Sequence, residues 1–201
     1  MPSKPLTRLL VMAILAPTAW AGAIEGQVHA TGSLTDRAGF VVSVEDIEAP
    51  PAEGTAVMDQ KNLRFVPHVL AIQRGTTVEF PNNDPLSHNV FSISPAKRFN
   101  LGMYPQGESR SLKFDEAGVV EVLCNVHLEM SGFIVVLKNP YFAKTDAQGR
   151  FRISGIPAGK HRIRCWHESL PSEEREVEVP AKGTVAVNFK PGSEKKGGAR
   201  E

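Results

Sequence analysis

Cysteine is scarce in this chain, with two among 201 residues. That excludes a disulfide-dense scaffold, in which several bridges stand in for a small core. Charge of one sign is missing too: Lys and Arg number 23, Asp and Glu 22, for a net +1. Such a balance offers no electrostatic case for binding nucleic acid. No uninterrupted apolar run is long enough to span a bilayer, so the chain predicts no transmembrane helix. Tryptophan and tyrosine occur twice each, and sustained helical periodicity is absent.

The N-terminus has the layout of a secretory signal peptide. Lys4 and Arg8 form a basic start, Leu9 to Ala16 a short apolar core, and Ala19-Trp20-Ala21 a small-x-small cleavage site. Cleavage after Ala21 is expected, with an uncleaved anchor as the alternative; residues 1–21 are then the leader and the mature chain is periplasmic. Loss of the two basic residues takes the formal charge to 23 − 2 − 22 = −1. In an oxidising compartment, a Cys124–Cys165 disulfide is the default use of two cysteines.

The mature sequence reads as all-β. Short runs rich in Val, Ile and Phe are expected as strands at Phe40–Val44, Val69–Ile72, Thr76–Phe80, Val90–Ile93, Ser109–Phe114, Val119–Leu123 and Phe133–Leu137. Turn chemistry separates them: Arg74-Gly75, Asn82-Asn-Asp-Pro85, Tyr104-Pro-Gln-Gly107 and Glu116-Ala-Gly118. Short strands at this spacing predict a β-sandwich over residues 22–138. A second, smaller β module is expected over 139–190, with strands at Phe151–Ile153, His161–Trp166, Arg175–Val179 and Thr184–Phe189. It is small for an independent fold and is expected to pack on the first. The Gly- and Lys-rich tail, 191–201, has no apolar anchor and reads as disordered.

The most chemically loaded stretch is Cys124-Asn-Val-His127-Leu-Glu-Met130, at the end of an apolar run. Thiolate, imidazole and thioether are the ligand types copper selects, and a His₂Cys site with a long axial Met is an electron-transfer site. The missing second histidine is sought upstream, where His88 in Asp84-Pro-Leu-Ser-His-Asn-Val-Phe91 follows a turn. Thiolate ligation by Cys124 competes with the disulfide, which leaves the His88, His127 and Met130 coincidence unexplained.

With those residues in hand, Pro81 to Phe91 together with Gly118 to Met130 resembles the cupredoxins, the type 1 (blue) copper proteins. The short Cys-x₂-His-x₂-Met loop is similar to that of the amicyanins, and the wider pattern resembles plastocyanin-like proteins of methylamine utilisation. The resemblance covers residues 60–138 well and 24–59 poorly. It implies a Greek-key β-sandwich holding one type 1 copper ion. It further implies His88, Cys124 and His127 as equatorial ligands, Met130 as axial ligand, and Asn89 as a neighbour tying the two ligand loops together by hydrogen bonds. Where many cupredoxins carry Pro after the second histidine, this chain has Leu128 and Glu129, so Glu129 is the alternative axial ligand. The stretch Thr145 to Ile163 resembles the transthyretin-like module found as a carboxypeptidase regulatory-like appendage.

By the same resemblance, His127 and Leu128, with Met103 and Leu86 nearby, form the docking face for a redox partner. A c-type cytochrome or periplasmic dehydrogenase is the implied partner class. Six histidines without a His-x-His pair argue against the extra centres of a multicopper oxidase, and the chain is not expected to be an enzyme. Two other functions stay open on sequence: copper buffering or delivery, and a metal-free, disulfide-bonded β-sandwich for binding. His68 reads as structural, and Cys165 as a buried thiol.

Overall fold

The computed structural model describes residues 21–29 and 39–192. The expected leader and tail therefore lie outside the described residues, apart from Ala21 and residues 191 and 192. Among the described residues there is no helix. The strands, in chain order, are β1 (Ala21–Gln27), β2 (Val41–Val44), β3 (Thr55–Val57), β4 (Asp59–Gln60), β5 (Phe65–Val66), β6 (Val69–Gln73), β7 (Thr77–Pro81), β8 (His88–Ser92) and β9 (Phe99–Tyr104). They continue with β10 (Ser109–Lys113), β11 (Gly118–Leu123), β12 (Ser131–Leu137), β13 (Phe142–Lys144), β14 (Arg150–Pro157), β15 (Gly159–Trp166), β16 (Glu173–Val179) and β17 (Thr184–Ala186).

The strands form five sheets, a two-stranded β4-β5 ribbon and four larger sheets that stack in pairs. In β7, Val78 and Phe80 point inward while Glu79 faces solvent. They line the inner face of a three-stranded sheet, β10-β7-β3, against the five-stranded sheet β6-β12-β11-β8-β9. The core between them includes Phe114, Val120, Val122, Ile134 and Val136. A second pair of sheets, β14-β1-β17 and β13-β2-β15-β16, encloses its own core of Ile24, Val42, Val44, Phe151, Ile153, Ile163 and Val177.

The two sandwiches pack through the outer faces of their larger sheets. Val69, Val135, Phe133 and Leu137 of the five-stranded sheet meet Val41 and Trp166 of the four-stranded one. This explains the unbroken apolar run of β12, since Ile134 and Val136 face one core while Val135 faces the other contact. The same two-sided burial makes all of Val41–Val44 buried. Polar ties reinforce the contact: the Lys144 ammonium donates to the Val69 carbonyl at 2.6 Å, and burial holds its pKa below the usual lysine value.

Strand pairing does not follow the expected split at residue 138. β1 pairs with β14 and β17, and β2, expected in the first sandwich, pairs with β13 and β15. The reason is physical: the roughly 50-residue C-terminal segment cannot close two sheets by itself, and the N-terminal strands complete them. The first sandwich begins near β3.

Candidate metal centre

The site lies at one end of the first sandwich, where two adjacent strands deliver their ligands. β11 and β12 are antiparallel neighbours, and their last pair, Leu123 with Ser131, closes the loop that carries Cys124 to Met130. β8 lies on the other side of β11, with Phe91 opposite Leu123. Continuing that register places His88, at the start of β8, across from the loop.

His88, Cys124 and His127 come together there, with their ligand atoms all within 4.8 Å of one another. The two Nδ1 atoms of His88 and His127 stand 2.9 Å apart, and Cys124 Sγ is 4.0 Å from His127 Nδ1. His88 and Cys124 are buried, His127 half-buried. Two imidazole nitrogens at this distance share either one proton or one cation. A sulfur and two nitrogens converging in a space screened from water form a donor set that fits copper. Burial, followed by the nearby His127, lowers the His88 pKa; the Asp84 carboxylate opposes that shift without reversing it. The shift favours the neutral ring, the form that can act as a ligand.

The loop itself is tightly built. The Met130 N–H donates to the His127 carbonyl at 2.9 Å, and the Met130 carbonyl accepts from the Cys124 N–H at 3.3 Å. Met130 is fully buried in the core beside Cys124, while Glu129 next to it is exposed. Asn89 is buried, but its side-chain amide donates to Asn100 on β9 at 2.8 Å, and its Oδ1 has no hydrogen-bond partner. The one side-chain hydrogen bond of Asn89 given by this geometry runs to β9 rather than to the 124–130 loop.

The residues behind His88 escaped sequence reasoning. Asp84, four positions ahead, is buried, with Oδ1 3.6 Å from His88 Nε2, beyond hydrogen-bond range, so Nε2 has no bond partner. Burial raises the Asp84 pKa, yet N–H bonds from Leu63 and Leu86 and the His88 ring outweigh it, and the net shift is downward. A polar scaffold pins this turn: Asn82 Nδ2 donates to the Leu86 carbonyl at 2.8 Å and to the Tyr104 carbonyl at 3.1 Å. The Tyr104 hydroxyl donates to the Phe80 carbonyl at 2.9 Å and accepts from Gln60 at 2.7 Å. Burial pushes its pKa up to about 12. The only sequence signal for this scaffold was the turn chemistry of Asn82-Asn-Asp-Pro85.

The disulfide alternative is overturned. Both cysteines are free, and they sit in different cores, Cys124 in the first sandwich and Cys165 in the second. Burial, with Glu173 nearby, raises the Cys165 pKa to about 12, so its thiol is inert. The side chains of Leu86, Met103 and Leu128 are exposed, as is Val126, which the sequence reading passed over.

Known proteins bear on this arrangement. Residues 52–137 match the family described as copper binding proteins, plastocyanin/azurin family. The match begins after β1 and β2, the two strands that belong to the other sandwich. An amicyanin of Paracoccus denitrificans is 29% identical over 110 residues, covering 53% of this chain and 84% of that one. Amicyanin-alpha of Methylorubrum extorquens is 30% identical over 97 residues, covering 47% and 81% respectively. Among solved structures, a purple cupredoxin from Nitrosopumilus maritimus is 28% identical over 40% of this chain and 98% of that one, with a TM-score of 0.37. The chain belongs to the plastocyanin/azurin family of copper-binding proteins.

Proposed function

We propose that this chain carries single electrons between redox partners through one type 1 copper ion held by His88, Cys124, His127 and Met130. The observation that carries the proposal is the convergence of one thiol sulfur and two imidazole nitrogens at the loop that the family motif occupies. Burial of Met130 and exposure of Glu129 support the thioether as the axial donor. Copper, when bound, supplies a centre that cycles between two oxidation states one electron apart. The chain's own residues do the rest. The β8 and β11–β12 strands hold the donors in place, the surrounding core excludes water, and the Asn82–Asp84 turn sets the buried Asp84 carboxylate behind the His88 ring. Four donors leave no open position for a substrate, which is why a carrier is proposed rather than an enzyme.

Electrons are proposed to enter and leave at His127. The exposed Leu86, Met103, Val126 and Leu128 side chains offer an apolar docking face, and Glu129 at its edge sets the charge preference of the partner. A c-type cytochrome or periplasmic dehydrogenase fits that face. The signal-peptide layout of residues 1–21 supports a periplasmic site of action. The second sandwich, with its own core, is read as a transthyretin-like module whose sheets recruit residues 21–44 as well as 139–190.

The test is direct electrochemistry on the copper-loaded mature chain. A reversible one-electron wave with fast exchange is expected. Tight copper binding without reversible redox cycling would replace the carrier by a copper buffer or delivery protein.

A further inference from the structure

His68 links the second sandwich to the strand end that follows the candidate metal loop. It stands just ahead of β6, beside the first residues of β12. Its carbonyl accepts from the Phe133 N–H at 2.8 Å, and its ring Nδ1 lies within hydrogen-bond distance of the Ser131 carbonyl, at 3.1 Å. These bonds grip the chain on either side of Gly132. A side chain at Gly132 would lie 3.1 Å from both the His68 carbonyl oxygen and Phe65 Cβ, so the close approach depends on its absence. Ser131 directly follows Met130, whose own N–H and carbonyl close the ligand loop onto His127 and Cys124. His68 therefore holds the returning end of that loop.

His68 is in turn held from the other sandwich. Its Nε2 stands 2.9 Å from Glu168 Oε2, so both ring nitrogens face acceptors. Glu168 lies two residues beyond Trp166, the end of β15, and the Trp166 ring packs on Phe133 at 5.8 Å. Phe133 meets the His68 ring edge-to-face at 5.7 Å. The His68 side chain is 48% exposed, so without Glu168 water competes for Nε2 and the ring is left with only the Ser131 carbonyl and the Phe133 edge contact to set its rotation. The Glu168 bond thus adds little stability but sets a direction.

We infer that Glu168 of the second sandwich is a positioning residue for the copper centre. It orients His68, and His68, through the Ser131 carbonyl, fixes where Met130 enters the site. The second sandwich thereby tunes the electron carrier to which it is attached. This inference rests on Met130 as a copper ligand, and its experiment has one arm that needs no metal.

In metal-free mature protein, Glu168→Ala is expected to speed hydrogen exchange of the Cys124 and Met130 amides by about threefold, the loss of one partly exposed hydrogen bond. The Val120 and Val122 amides, inside β11, keep their rates, and Glu168→Gln, which still presents an acceptor, stays near the unmodified protein. In copper-loaded protein, Glu168→Ala shifts the reduction potential and the ratio of the visible absorption bands. His68→Ala shifts both in the same direction, and the double variant goes no further than either single one. Loop exchange and potential unchanged in Glu168→Ala would overturn the inference, as would a general rise in exchange that includes β11. A protein that takes up no copper defeats the metal reading alone, because exchange in the metal-free loop still decides whether Glu168 restrains it.

Discussion

Trp166→Ala tests whether the two sandwiches are bonded into one stack. Trp166 is only 7% exposed and spans the contact, packing on Phe133 and clustering with Val41, Val69 and Val135. Truncating a buried Trp costs about 3–5 kcal/mol through lost transfer energy and residual cavity. Here a cavity of about 190 Å³, lined in part by Ser43, Val119, Val135, Arg164 and Trp166, already borders the ring. Packing is incomplete on that side, so the low end applies, about 3 kcal/mol. For a chain of this length each kcal/mol moves Tm by roughly 2–4 °C, giving a fall of about 6–12 °C. Calorimetry of the metal-free mature chain, paired with urea unfolding, measures it. Tryptophan emission gives a second readout, since the other tryptophan, Trp20, lies in the expected leader. Emission characteristic of a buried indole, shifting red at the same midpoint as the loss of β structure, is expected from the unmodified protein. A cost under about 1 kcal/mol, the range of surface substitutions, would refute a packed contact between the sheets.

Three further outcomes follow from the site and the second core. Thiol titration should find two free cysteines after unfolding without reductant, while in the native state Cys165 resists alkylation at pH 8; a missing pair of thiols would restore the disulfide. Metal-free protein should lose stability as pH falls. The folded His88 pKa lies below its ordinary value, so the unfolded chain binds the extra proton first, and the loss begins near pH 6.5 and runs down to the folded pKa; a Tm that stays flat or rises over that interval contradicts it. Asp84→Asn removes the buried charge facing His88 Nε2 and should weaken copper binding by about tenfold in competition titrations, with unchanged affinity counting against a supporting role.

Much of the first sandwich was legible because its strands announce themselves locally. Val119–Leu123 and Phe133–Leu137 are dense in β-branched residues and bounded by turns, and they form strands within two residues of the expected limits. β9 was not legible: Phe99–Tyr104 carries Asn100 and Gly102 and draws its order from pairing with β8. Partnership across the chain was harder still. Nothing local in Val41–Val44 says that it pairs with β15, some 120 residues later, since an apolar strand suits either core. The same holds at the site. The Cys124 to Met130 loop is contiguous, so spacing revealed it, whereas Asp84, Tyr104 and Gln60 act through contacts that only the folded sheet creates. The Asn89–Asn100 bond was not legible for a related reason, because the expectation contained no β9 beside it.

The visible spectrum of the copper-loaded mature chain bears most directly on the electron-carrier reading. An intense thiolate-to-copper band, blue in colour and abolished in Cys124→Ser, is the predicted result; green or red colour would shift the axial assignment toward Glu129 or a distorted Met130 site. A protein that binds copper with only the weak absorption of nitrogen and oxygen ligands, unchanged by Cys124→Ser, would contradict the His88, Cys124, His127 centre outright.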